Sequence, residues 1–165
     1  MPQIIREFQE SDWPPVRAIV DEVVRAGETF TYDQDMTPEQ VRAIWLAAPP
    51  GRTTVAVAGE QMLGTAKMGA NRGGPGAHIA TASFMVAALA RGRGVGTALC
   101  RDALEWARAE GYAGMQFNAV VETNRAAVRI YENLGFRVLG TVPRAFEHPT
   151  LGRVGLHLMY HEFGA

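Results

Sequence analysis

The sequence holds one cysteine, Cys100, so no internal disulfide can form and a reducing compartment suits the chain. It also lacks any apolar run approaching the ~18 residues of a membrane span, which argues against a membrane partner. No basic segment followed by an apolar stretch opens it, so no secretion signal is expected. Charge of either sign is not in excess: 16 Lys and Arg against 17 Asp and Glu leave a formal net charge of -1. That balance gives no reason to expect nucleic acid as a partner. Repeats, low-complexity tracts and linkers are missing as well. What is present is the make-up of a globular protein, 47% hydrophobic and 20% charged, with length enough for a core. The expectation is one cytoplasmic domain over residues 1–165.

Periodicity supplies the elements. Gln3–Phe8 reads as a strand, with Ser11 as a cap and Pro14 and Pro15 in the first turn of a helix. Val16, Ile19, Val20, Val23 and Val24 give that helix one apolar face, and Gly27 stops it. "GETFTYDQD" (27–35) is a polar, aromatic loop. Thr37-Pro38-Glu39-Gln40 is a capping box opening a helix whose apolar residues are Val41, Ile44 and Trp45. "TTVAVA" and "MLGTAKMG" form a hairpin turning at Gly59-Glu60. After the break "NRGGPG", "HIATASFMV" (78–86) is strand. Ala98, Leu99, Ala103, Trp106 and Ala107 mark a helix ending near Gly111, and "GMQFNAVV" is strand again. Asn124 caps a helix to Leu134, Gly135 stops it, and Phe136–Val142 is strand. "PRAFEHPTLG" reads as a loop and "VGLHLMYHEF" as a last strand. The order β-α-α-β-β-β-α-β-α-β-β predicts an α+β fold around one mixed sheet flanked by helices.

The stretch "LARGRGVGTALC" (89–100) asks why Gly92, Gly94 and Gly96 precede a helix. The first amides of a helix lack internal partners and carry the positive end of its dipole. Glycine removes the Cβ atoms that would keep an anion off the backbone, so the segment suits a diphosphate, and Arg91 and Arg93 add charge. A plain surface turn has the same composition. Counted from Gly92, the third glycine of a Rossmann G-x-G-x-x-G falls on Thr97, and the Gly-Lys-Ser/Thr of a Walker loop is absent.

Arg91-Gly92-Arg93-Gly94-Val95-Gly96 resembles the Q/R-x-x-G-x-G/A acyl-CoA signature of the GNAT family of N-acetyltransferases. Downstream, "NRAAVRIYENLGF" (124–136) is similar to that family's N-x-x-A-x-x-x-Y-E-x-x-G-F segment. The order of elements fits the same fold, so the resemblance covers nearly the whole chain. It implies a mostly antiparallel sheet splayed between strands 4 and 5, with acetyl-CoA as donor. The amides of Arg91, Gly92, Arg93, Gly94, Val95 and Gly96 would hold the diphosphate, and the strand edge at Phe84, Met85 and Val86 would pair with the pantetheine arm.

Direct transfer needs a proton for the leaving thiolate, and a thiol of pKa ~8.5 can take one from a tyrosine of pKa ~10. By the family pattern Tyr131 is that general acid, and Asn124 holds the pantetheine or the chain near it. Their spacing of seven residues puts both on one helix face, with only about 20° of drift. The other reading of the pair is a core tyrosine and an N-cap. Some relatives carry a glutamate base where this chain has Thr81 or Ala119. Glu28, His78 and Glu122 stay as candidates and none is assigned. Cys100 reads as a small buried hydrophobe rather than an acyl carrier. His157 and His161 lie on a strand, where four residues span ~13 Å, so no metal site is expected. Met62, Met68, Met85 and Met159 read as core.

Two loops could bound the acceptor. Glu28 or Asp33 offers a carboxylate for a cationic amine, Phe30 and Tyr32 offer aromatic walls, and Arg144 and His148 could meet a carboxylate. Together they suggest a small zwitterion, an amino acid or analogue. The first loop with "MTPEQVRAIW" is similar to the phosphinothricin acetyltransferase branch of the family. The alternatives are a protein N-terminal or lysine acetyltransferase and a non-catalytic acyl-CoA binding module. The oligomeric state stays open, with a homodimer as the expectation.

Overall fold

The computed structural model describes residues 2–164. Helix α1 (Trp13–Ala26) forms where Val16, Ile19, Val20, Val23 and Val24 share a face, and all five are buried. Gly27 ends it in the left-handed conformation, φ 68°, with its amide on the Val24 carbonyl. The start of α1 departs from the expected Ser11 cap. Ser11 lies inside a 3-10 turn (Glu10–Asp12), Asp12 stands at the N-cap of α1, and its carboxylate turns back to the preceding turn and β1 rather than to an α1 amide. It accepts from the Gln9 amide at 2.8 Å and from two nitrogens of Arg6 at 2.8 and 2.9 Å. A carboxylate offers two oxygens to several donors where a hydroxyl offers one. Helix α2 (Pro38–Trp45) opens on the expected box: Gln40 N donates to Thr37 Oγ1 at 3.2 Å and Thr37 N to Gln40 Oε1 at 2.8 Å.

Among the described residues seven strands form one sheet: β1 (Ile4–Glu7), β2 (Arg52–Ala58), β3 (Gln61–Ala70), β4 (Ile79–Val86), β5 (Gly114–Val121), β6 (Arg137–His148) and β7 (Gly152–Glu162). They lie in the order β1-β2-β3-β4-β5-β7-β6. Every neighbouring pair is antiparallel except β4 and β5, which the crossover helix α3 (Val95–Ala109) makes parallel. The expected mixed, mostly antiparallel sheet is found. Helix α4 (Arg125–Asn133) joins β5 to β6.

One expected loop is strand instead. Residues 143–148 continue β6, and only the turn near Pro149–Leu151 separates it from β7. The breakers are tolerated because β6 is an edge strand with an irregularity between Val142 and Phe146, where a proline removes no needed ladder bond. Arg144 sits inside that irregularity with φ 54°.

Strand alternation assigns the two faces. Trp45 Nε1 donates to Thr65 Oγ1 at 3.0 Å, placing α2 on the face of Thr65 and Lys67. A Cβ on Gly64 would meet Val95 and Leu99 at 3.0 and 3.1 Å, placing α3 on the other. Met68, Met85 and Met159 are buried between these layers, as expected, while Met62 is half-buried. Among the described residues no helix is long and apolar enough to cross a membrane.

Candidate active site

Strand β4 pairs with β5 only at Ile79↔Gly114 and Ala80↔Met115. From Thr81 to Val86 it stays paired with β3 but not with β5, so its far edge is open. The expected splay therefore exists, and Phe84, Met85 and Val86 lie along it. Unpaired strand edges present a row of donors and acceptors that an extended ligand arm can meet as a strand does.

At the end of β4 the chain makes a short 3-10 turn (Ala88–Ala90) and enters the glycine segment. Gly92 and Gly94 both have φ 77°, a conformation costly for side chains with a Cβ. Nothing lies within 4 Å of where a Cβ on Gly92 would sit. Gly94 is the N-cap of α3, and the first helical bond runs from Ala98 N to Gly94 O at 3.0 Å. The amides of Val95, Gly96 and Thr97 consequently have no acceptor within the helix. Gly96 plays a different part: a Cβ there would stand 3.3 Å from Ile130 Cδ1 and 3.8 Å from Val86 Cγ2, so its smallness lets α3 lie close to α4 and β4. Arg91 and Arg93 are exposed and Val95 is buried. An open strand edge running through a glycine bend into bare amides fits the long arm and diphosphate of an acyl-CoA.

Tyr131 is held over this opening by aromatic packing. Its ring centroid lies 4.6 Å from that of Phe117 on β5, 6.0 Å from Phe136 and 6.1 Å from Phe84 on β4. Among the described residues no group hydrogen-bonds its hydroxyl. Burial, and then the nearby Cys100, push the phenol well above its ordinary value, which keeps the proton on oxygen. Asn124 caps α4, its Oδ1 accepting from Ala127 N at the long distance of 3.4 Å. Cys100 is fully buried, and burial pushes its thiol up to about 12, so it is a poor nucleophile.

The acceptor-side candidates are only partly brought together. Phe30 and Tyr32 pack on each other at 5.3 Å, and Phe30 meets Trp45 edge-on at 6.4 Å. Burial raises the Tyr32 phenol, with the Ser83 side chain beside its hydroxyl. Glu28 is exposed, and so is His78. Arg144 stands on edge strand β6, which β5 and β7 separate from β4. His148 caps its own turn, accepting from the amides of Thr150 and Leu151, both at 3.2 Å. Glu122 packs against Gly155 on β7. His157 pairs with Thr141 at 2.7 Å, while His161 sits between Phe136 and Phe163.

One residue among these walls has a signal in the sequence that periodicity does not read. Lys67 is the only lysine of the chain, in the middle of strand β3. Its Nζ donates to the Ile44 carbonyl at 2.6 Å and stands 5.5 and 5.7 Å from the ring centroids of Tyr32 and Trp45.

Comparison with known proteins agrees with this geometry. The profile of the Acetyltransferase (GNAT) family matches residues 7–136. A solved GCN5-related N-acetyltransferase from Kribbella flavida is 55% identical over 98% of both chains, with a TM-score of 0.95. A ribosomal-protein-alanine N-acetyltransferase from Brucella melitensis is 25% identical, covering 97% of this chain and 99% of that one, at a TM-score of 0.85. The phosphinothricin acetyltransferase of Sinorhizobium meliloti, solved with acetyl-CoA, shares the fold at 20% identity over 99% of this chain and 90% of that one, TM-score 0.84. Protein SPT10 of Saccharomyces cerevisiae is 38% identical over 72 residues, and those span 44% of this chain but only 11% of the yeast protein. The chain belongs to the GNAT family of acetyltransferases.

Proposed function

We propose that the chain moves an acetyl group from acetyl-CoA to the primary amine of a small molecule, an amino acid or analogue, with Tyr131 as general acid. One observation carries the reading: the Tyr131 ring is fixed at the splay of β4 and β5, and its hydroxyl is unengaged among the described residues. Acetyl-CoA supplies an acetyl thioester, an acyl group on a good leaving sulfur. The amides of Val95 and Gly96 and the bend at Gly92 and Gly94 support a diphosphate there, with Arg91 and Arg93 adding positive charge. The open edge of Phe84, Met85 and Val86 supports pairing with the pantetheine arm, and Asn124 lies at the far end of the same helix face as Tyr131.

Tyr131 donates its proton to the departing sulfur and recovers one from solvent or from the acylated amine. A phenol raised by burial remains protonated throughout the neutral range, as a general acid must. The Phe30, Tyr32 and Trp45 cluster on the α2 face supports a compact acceptor beside β4. Likeness to the phosphinothricin enzyme of Sinorhizobium meliloti supports the small amino-compound branch. The test is release of CoA thiol from acetyl-CoA across a panel of amino acids, amines and short peptides. Turnover of small amino compounds over peptides is the expected result. Preference for peptide N-termini or lysines would replace the acceptor assignment, and no turnover with intact acetyl-CoA binding would point to a binding module.

A further inference from the structure

A cavity of about 250 Å³ lies between α2 and strands β3 and β4, lined by Ile44, Lys67, Thr81 and Ser83 with apolar neighbours such as Leu46 and Met68. It is below the ~300–1,000 Å³ typical of sites for drug-sized ligands. Thr81 and Ser83 belong to the part of β4 that has left β5, so the cavity adjoins the cleft. Lys67 faces Ser83 across the β3–β4 ladder, on the same side of the sheet.

Its ammonium is half-buried, and among the described residues no carboxylate comes within salt-bridge distance of it. A lysine ammonium has three donors. One is used on the Ile44 carbonyl, one of the last-turn carbonyls of α2 that the helix itself cannot satisfy. The Tyr32 and Trp45 rings offer their faces to the charge but accept no strong hydrogen bond. Two donors and the charge are left without a protein anion. Taking an ammonium from water without a counter-ion is unfavourable, and burial already lowers the Lys67 pKa.

We infer that Lys67 is the anchor for an anionic group of the acceptor, a carboxylate in the simplest case, seated in the cavity beside β4. The inference rests on the proposed acetyl transfer to an amino acid or analogue and assigns the residue that holds that compound's acid group. The carbonyl of Ile44 and the two rings hold the ammonium in place, and an arriving anion would offset the burial that lowers its pKa. Lys67 stands on β3, next to β4, whereas Arg144 is on the far edge of the sheet.

Because the chain has one lysine, protein labelled with 13C-lysine gives a single side-chain Cε signal that reports on the site without turnover. The probes are α-amino acids and their carboxamides, which keep the amine and side chain but lose the charge, titrated with and without CoA. The expected result is a saturable shift with at least one acid, and binding of its carboxamide weaker by about 10–100-fold. No shift with any acid, or equal shifts with acid and carboxamide, overturns the inference. Kinetics of Lys67→Met and Lys67→Arg give a second reading. Lys67→Met should raise KM for the acid about tenfold or more while sparing the carboxamide, and Lys67→Arg should restore part of the preference. An equal loss for both acceptors, with a lowered melting temperature, would mean that Lys67 only caps α2, and the inference fails. If acids shift the signal but no amine is acetylated, the anion site stands and the transfer reading fails. Turnover without any acid preference gives the reverse.

Discussion

Replacing Tyr131 with phenylalanine removes one oxygen and leaves the ring among Phe84, Phe117 and Phe136. The hydroxyl has no hydrogen-bond partner among the described residues, so its loss strands no buried donor or acceptor. Stability should accordingly change by less than ~0.5 kcal/mol, under about 2 °C in melting temperature for a chain of this size. Turnover should change far more. A positioned general acid contributes ~10²–10⁴-fold, which at 1.36 kcal/mol per tenfold is about 2.7–5.4 kcal/mol of barrier. The loss should appear in kcat, with acetyl-CoA affinity unaltered, because the shape of the cleft is kept. The assay is steady-state CoA-thiol release on the variant and the native protein, beside calorimetric binding of acetyl-CoA and a thermal melt. A core-only tyrosine gives near-normal kcat per folded molecule. A fall of less than about tenfold in kcat would refute the general-acid assignment.

The glycine segment yields a pair of contrasts. Gly94→Ala forces a Cβ into φ 77° and should cost about 1–2 kcal/mol of stability while weakening acetyl-CoA binding more than tenfold; equal loss of stability and no loss of affinity would favour the plain-turn reading. Gly96→Ala meets only the flexible tip of Ile130, so a melt should show a smaller change than for Gly94→Ala. Asp12→Asn should cost about 1.5–3 kcal/mol near neutral pH, since the carboxylate holds Arg6 and the Gln9 amide. Arg6 keeps the Asp12 pKa below its ordinary value, so that contribution is complete above pH ~4 and is lost as pH falls through the lowered folded value; urea unfolding of both proteins at pH 7 and pH 3 should show the gap closing. Cys100 should resist thiol reagents in the native protein at pH 8 and react only on unfolding, and Cys100→Ala should retain turnover.

Much of this architecture could be read from local patterns. The face of α1 is a period of five valines and isoleucines, and the Thr37–Gln40 box is a signal four residues long. The bend at Gly92 and Gly94 follows from residue type, and the splay of β4 from β5 came with the family resemblance rather than from periodicity. What escaped was decided by distant partners. Pro143 and the polar residues after it have the composition of a loop, yet they pair with β7 because an edge strand tolerates an irregular segment. Ser11 has the residue type of a cap, but a 3-10 turn puts Asp12 at that position, where its carboxylate pairs with Arg6 on β1. The surroundings of Lys67 come from three places, the loop at Tyr32, the end of α2 and strand β4, so no window of sequence contains them. Arg144 and His148 read as loop residues free to meet a ligand, but the extension of β6 carries them along the sheet edge, away from β4.

The claim on which the rest depends is that the open edge of β4 and the bare amides at the start of α3 form an acyl-CoA seat. Calorimetric titration of acetyl-CoA into the purified protein, with NAD and ATP as competitors, tests it most directly. The account predicts one acetyl-CoA per chain at a dissociation constant of ~1–100 μM, in the range of enzyme substrates, with no effective competition from NAD or ATP and with binding lost in Gly94→Val. Tight binding of NAD or ATP without binding of acetyl-CoA would contradict it.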